Sequence, residues 1–201
     1  MSEPIVIDNF IPEVYQDSLL TMLTGVEFPW NFHPYSVSGF PITDYYTDVP
    51  TKEHIQFRHI FVDNNVMKSP FLKFLEPLMV CFQHHTGMKI KSTQRIKTNL
   101  LMKQDGPHLQ VPHIDDTDFI TSQPNRVGKK TLLYYVSGGD GDTVLYNEHY
   151  DGKEIGLITR QQTVSPLKGR AVIFDSHQIH SGCCPAVSDY RIIINCVFEG
   201  V

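Results

Sequence analysis

The sequence predicts a mainly β fold, an antiparallel sandwich or barrel with helices packed against its outside. Three observations lead there. Apolar residues at helical spacing are confined to two stretches before Gly87. Beyond Gly87 the chain turns to short segments of period two, divided by turn signals. The 201 residues are 41% hydrophobic and 19% charged, a composition that supports one substantial core.

The elements follow in order. Asn9-Phe-Ile-Pro12 opens a first helix with proline near its first turn; Val14, Leu19, Met22 and Leu23 recur at helical spacing, and Gly25 stops it. Residues 28–50 mix aromatics, Pro, Gly and Ser without a period, and read as a long ordered loop with short strands. Ser69-Pro70 opens a second helix through Phe71, Leu72, Leu75, Leu78, Met79 and Phe82 to Gly87, kinked at Pro77. In 95–103, Ile96, Thr98, Leu100 and Met102 share one face, and Lys97, Asn99 and Leu101 the other. Further strands are expected at 131–137, 143–147, 155–158, 170–175 and 190–199. Gly138-Gly-Asp-Gly-Asp142, Asp151-Gly152, Lys168-Gly169 and Ser188-Asp189 are the turns between them. The expectation is a single domain over 1–201, with a helical and loop part at 1–88 and a β core at 89–201.

Composition narrows the function. A net charge of −5 disfavours a general nucleic-acid binder, and no apolar run is long enough for a membrane helix. The start, Met1-Ser-Glu-Pro-Ile-Val-Ile-Asp8, has no basic segment followed by a long apolar one, so a cytoplasmic protein is expected. Cys81, Cys183, Cys184 and Cys196 lack the spacing of a zinc knuckle or redox pair and read as thiols of a reducing compartment.

The ten histidines carry more information. His113-Ile-Asp115 followed by His180 supplies two imidazoles and a carboxylate. On one face of a metal that set leaves positions open, the usual arrangement of non-haem Fe(II) oxygenases. In an extended segment residues i and i+2 point the same way, so His113 and Asp115 can reach one ion. A lone H-x-D pair says little, and this chain has a second, His149-Tyr-Asp151. That second pair runs into the Asp151-Gly152 turn and leaves little chain before His180 for a return across two sheets. The longer interval between Asp115 and His180 holds the intervening strands. His177 is the rival of His180, and His84-His85 suit the end of the second helix.

Several further motifs stand in order: Thr131-Leu-Leu-Tyr-Tyr-Val136, Gly141-Asp-Thr-Val-Leu-Tyr146, Pro166-Leu-Lys-Gly-Arg-Ala-Val-Ile-Phe174, His180-Ser-Gly182 and Tyr190-Arg191. With His113-x-Asp115, this series resembles the Fe(II)/2-oxoglutarate-dependent dioxygenases, in particular the prolyl 4-hydroxylase-like group and its small phage-encoded members. The resemblance covers roughly residues 90–199, and Ile5-Val-Ile-Asp-Asn-Phe-Ile-Pro12 with Phe28-Pro-Trp30 is similar to the N-terminal part of the phage type. It implies a double-stranded β-helix (jelly roll), Fe(II) on His113, Asp115 and His180, and 2-oxoglutarate and O2 as co-substrates, with ascorbate as a reductant. It also implies that Arg191 and Tyr135 hold the distal carboxylate of 2-oxoglutarate. A guanidinium suits that task because its parallel N–H donors match a carboxylate. Alternation from Arg191 puts Asn195 in the same cavity, and alternation from Thr131 turns Tyr135 inward and Tyr134 away.

The reaction implied is hydroxylation of a C–H bond with release of succinate and CO2, most directly on a peptidyl proline. The alternatives are a free amino acid, another small metabolite or a nucleobase. One departure bears on the substrate: many members carry Tyr-x-Pro-Gly before the H-x-D motif, whereas Met102-Lys-Gln-Asp-Gly-Pro107 has no tyrosine and offers Lys103 or Gln104. Trp30, His33, Tyr35, Tyr45 and Tyr46 are candidate lid residues, and His108 lies on a loop near the site. Two other readings keep the same three ligands: a cupin-like metalloenzyme without 2-oxoglutarate, and a module with a closed structural ion.

Overall fold

In the computed structural model the described residues are 3–35, 51–52, 54–115, 128–150 and 156–201. Two antiparallel sheets face one another. The strands are β1 (Ile5–Ile7), β2 (Asn31–His33), β3 (Gln56–Asp63), β4 (Val66–Met67), β5 (Ile90–Met102), β6 (Lys129–Tyr135), β7 (Thr143–His149), β8 (Arg160–Val164), β9 (Ala171–Asp175), β10 (Gln178–Gly182) and β11 (Tyr190–Gly200). The large sheet runs β1-β9-β6-β11-β5-β3-β2 with β4 attached to β3; the small one runs β10-β7-β8. This is the jelly-roll architecture expected from the sequence. No helix among the described residues is long and apolar enough to cross a membrane.

Side-chain alternation lets each central strand serve two compartments. On β11, Ile192, Ile194, Cys196 and Phe198 pack outward with Leu132 and Tyr134 of β6 against the helices. Arg191, Ile193 and Asn195 point instead into the space between the sheets. That inner space is closed on one side by Leu133, Tyr135, Leu145, Val164, Val172 and Phe174. A third cluster, built on Leu109, Ile114, Val144, Tyr146, Ile158 and Ile179, covers the outer face of the small sheet.

Helix α1 (Glu13–Thr24) begins after Pro12 with Glu13 in its first turn, where a carboxylate suits the positive end of the dipole. Leu19 and Leu23 are its buried stripe. The second helical region differs from expectation. It is a 3₁₀ turn (Pro70–Leu75) followed by a separate helix α2 (Glu76–Thr86). Pro77 falls in the first turn of α2, where its missing N–H has no partner to lose, so it starts a helix instead of kinking one. Gly87, at φ 69°, ends α2 in the left-handed conformation.

The N-terminal third also contributes more than helices and loop. β1 pairs with β9, and β3 pairs with β5 in the large sheet. A strand expected at 155–158 is found instead as β8, and β10 was not anticipated.

Candidate metal centre and its chamber

Three side chains converge at one end of the inter-sheet space. His113 and His180 form an antiparallel bridge, exchanging backbone hydrogen bonds of 3.0 Å in both directions, and their ring centroids lie 4.4 Å apart. Each ring is oriented from behind: Nδ1 of His113 donates to Val111 O at 3.1 Å, and Nδ1 of His180 to Gln178 O at 3.0 Å. Both Nε2 atoms are thereby left with lone pairs free for a metal. Asp115 is held in register by its backbone N–H to Ser176 O at 3.1 Å. Its Oδ2 lies 3.3 Å from His180 Nε2, and one donor atom from each of the three residues lies within 4.8 Å of the others. Donors on one face of an ion about 2.1 Å away sit about 3 Å apart, so the cluster fits a divalent metal.

The carboxylate is braced on three sides. Arg95 Nη2 donates to Oδ1 at 2.8 Å, while Asn195 Nδ2 and Thr131 Oγ1 donate to Oδ2 at 2.9 and 3.1 Å. Burial alone would raise its pKa, yet His180, Arg95 and His113 hold Asp115 well below the usual carboxylate range. Burial and the neighbouring His180 push His113 down to about 3, which keeps it a neutral imidazole. His113 and Asp115 are therefore held in the protonation states a metal requires.

From this end a chamber extends between the sheets. At its far end Arg191 is 2% exposed and donates from Nη2 to Thr143 Oγ1 at 2.7 Å, while its Nε has no partner. No carboxylate among the described residues neutralises it. Glycines make the room: a Cβ on Gly141 (φ +96°) would lie 2.9 Å from Cys183 O and 3.1 Å from Arg191 Cδ. A Cβ on Gly182 would lie 2.8 Å from Gln110 Oε1. Leu101, Leu133 and Ile193 supply apolar wall.

The residues anticipated from sequence divide as follows. His113, Asp115 and His180 come together, and Arg191 and Asn195 line the same chamber. Asn195 is engaged with Asp115 at the metal end. Tyr135 turns inward and Tyr134 outward, as alternation requires. The Tyr135 hydroxyl donates to Thr143 Oγ1 at 2.7 Å, with the Arg191 guanidinium 5.4 Å from its ring centroid. Thr143, Arg95, Thr131, Gln110, Lys97, Asn99 and Gln56 were not assigned to the site from sequence; the inward face of each strand is the signal that finds all but Gln110, which lies outside the strands.

His149 lies apart from the centre, with Nε2 3.6 Å from Asp175 Oδ2. His108 pairs with Asp105 at 2.8 Å, and His85 stacks on Phe10. Trp30 donates to Leu23 O and packs on Phe28, so it caps α1. His33 Nδ1 and Tyr35 O are 2.6 Å apart. Tyr45, Tyr46 and Asp151 lie outside the described residues.

Comparisons with known proteins agree with this geometry. The family model described as 2OG-Fe(II) oxygenase superfamily matches residues 98–199, which include all three candidate ligands and Arg191. No curated protein sequence matches the chain. Among solved structures it is similar to an oxidoreductase of the 2OG-Fe(II) oxygenase family from Burkholderia pseudomallei (TM-score 0.61, 13% identity, covering 98% of this chain and 84% of that one). It is also similar to SnoN, a non-haem alpha-ketoglutarate-dependent epimerase from nogalamycin biosynthesis (0.62, 11%, 98% and 78%). A third is a prolyl hydroxylase from Trichoplax adhaerens in complex with a hypoxia-inducible-factor peptide fragment (0.57, 16%, 98% and 83%). At these identities the structural likeness is one of fold. The match of the family model over half of the sequence goes further: the chain belongs to the 2OG-Fe(II) oxygenase superfamily.

Proposed function

We propose that this chain is a 2-oxoglutarate-dependent hydroxylase, with Fe(II) on His113, Asp115 and His180 and the co-substrate's distal carboxylate on Arg191. The observation that carries the reading is the pairing, in one chamber, of a three-donor cluster with a buried guanidinium that has no carboxylate partner among the described residues. Orphaned polar atoms at Arg191 Nε, Gln110 Nε2, Asn99 Oδ1 and Asn195 Oδ1 point to a polar occupant. Iron with 2-oxoglutarate would supply an oxidant made from O2, with succinate and CO2 released.

The protein's own work is positioning and exclusion. Asn195, Thr131 and Arg95 fix the Asp115 carboxylate. Thr143, itself held by the Tyr135 hydroxyl, fixes the Arg191 fork, so Tyr135 acts through Thr143. Leu101, Leu133 and Ile193 supply the apolar part of the chamber wall. Likeness to prolyl hydroxylases makes proline, in a peptide or free, the first substrate to try. Likeness to an epimerase of nogalamycin biosynthesis supports a small-molecule substrate as well.

The test is succinate formation from 2-oxoglutarate. Arg191→Ala should raise the 2-oxoglutarate requirement about 10- to 100-fold, the loss of a charge-assisted hydrogen-bond pair. An unchanged requirement would remove Arg191 from the co-substrate site and favour the cupin-like alternative.

A further inference from the structure

The chamber holds a second cation that the chemistry above does not use. On β5, Lys97, Asn99 and Leu101 all face inward. In the register of the large sheet Lys97 stands beside Asn195 of β11, whose amide is on Asp115. Lys97 therefore belongs to the metal end, while Arg191 lies four residues, or about 13 Å, further along β11. Among the described residues nothing hydrogen-bonds or ion-pairs with the Lys97 ammonium. Burial and the like charge of Arg95 and Arg58 pull its pKa down to about 7, against the attraction of the Asp115 carboxylate. A half-buried cation that lines the chamber and has no hydrogen-bond partner among the described residues is a recognition point for an anionic ligand.

The polar neighbour of Lys97 is fixed in the opposite sense. Gln56 Nε2 donates to Tyr35 O, which turns Gln56 Oε1 toward Asn99 Nδ2. That chain leaves Asn99 Oδ1 as an acceptor, and it is buried with no partner. A cation and a bare acceptor two residues apart on one strand face, about 7 Å between their Cα atoms, complement a carboxylate and an amino group on one small molecule. The co-substrate would not need them, since the metal would serve one of its carboxylates and Arg191 the other.

We propose that Lys97 and Asn99 form the recognition site for the primary substrate and that this substrate is a free amino acid, its carboxylate on Lys97 and its amino group on Asn99 Oδ1. The inference rests on the co-substrate assignment proposed above. A free carboxylate excludes an internal residue of a peptide.

The experiment is anaerobic calorimetric titration of the Fe(II)- and 2-oxoglutarate-saturated protein with free amino acids, each beside its own carboxamide. L-proline and L-prolinamide are the first pair, with a peptide containing an internal proline as a third arm. At least one free amino acid should bind tenfold or more tighter than its carboxamide. Lys97→Met should erase that preference while leaving 2-oxoglutarate affinity within about twofold, and Lys97→Arg should retain it. Lys97→Gln is the second variant and should behave as Lys97→Met does. Without ligands, Lys97→Met should melt at a higher temperature than wild type, because an unpartnered ammonium has gone. Equal binding of acid and amide throughout the panel, or tighter binding of the peptide, would overturn the proposal. So would a tenfold loss of 2-oxoglutarate affinity in Lys97→Met with the preference intact, which would give Lys97 to the co-substrate. Failure of wild type to bind 2-oxoglutarate at all would instead bring down the underlying reading, and it is seen before any amino acid is added.

Discussion

The Asp115 carboxylate concentrates the demands of the site, because it is one of three candidate metal donors and both its oxygens are held by donors from three strands. Removing one donor should loosen the ligand without deleting it. Thr131→Val leaves Oδ2 with Asn195 alone, and metal affinity should fall about 10- to 100-fold in a competition titration against a chelating dye. Wild-type affinity would show that the hydroxyl does not orient the ligand. His113 makes a second prediction at this scale. Its folded pKa of about 3 lies below the ordinary 6.5, so between those values the unfolded chain binds a proton that the folded chain refuses. Stability of the metal-free protein is therefore full above pH 6.5 and declines as pH falls toward 3, and Asp115 adds a loss of the same sign below 3.8. Thermal melting across that range should show the decline, and His113→Gln should flatten its upper part. A melting temperature that rises on acidification would contradict this reading of the two groups.

Elements deliver these side chains through alternation and through the turns that let strands approach. The turn before β7 is the most exacting. Gly141 sits at φ +96°, and an added Cβ would press on both Cys183 O and the Arg191 side chain. Gly141→Ala should lower the melting temperature and weaken 2-oxoglutarate binding by displacing Arg191, while metal affinity stays near wild type; calorimetry with each ligand separates the two. The same elements explain what could be read from sequence. β5 and β11 were legible because Ile96, Leu100, Ile192 and Ile194 mark one face while Lys97, Asn99, Arg191 and Asn195 mark the other. β3 was not, since Gln56 and Arg58 interrupt the apolar pattern, and His59 is buried only because Pro29 O and Ser69 satisfy both of its ring nitrogens. β8, Arg160-Gln-Gln-Thr-Val164, is mostly exposed and polar, so hydrophobicity could not announce it. The three metal-ligand candidates were legible through spacing. The braces on Asp115 were not, because Arg95, Thr131 and Asn195 meet only when β5, β6 and β11 pair.

Across the whole molecule the centre is a small part of what holds the fold together. The cluster between the large sheet and the helices, from Phe10 and Leu19 to Ile194 and Phe198, lies outside the chamber and makes no use of a metal. Chelation should accordingly abolish turnover while leaving a folded protein, with the melting temperature lowered only by the lost binding energy. Unfolding on chelation would instead identify a structural ion. The central question for the molecule is whether the cluster at one end of the chamber and the guanidinium at the other hold iron and 2-oxoglutarate together. The most direct measurement adds Fe(II) and then 2-oxoglutarate to the metal-free protein under anaerobic conditions and records the visible spectrum. A charge-transfer band that forms in wild type, His177→Ala and His149→Ala but not in His180→Ala is the result expected. Bound iron with no band in wild type, or a band that persists without His180, would contradict it.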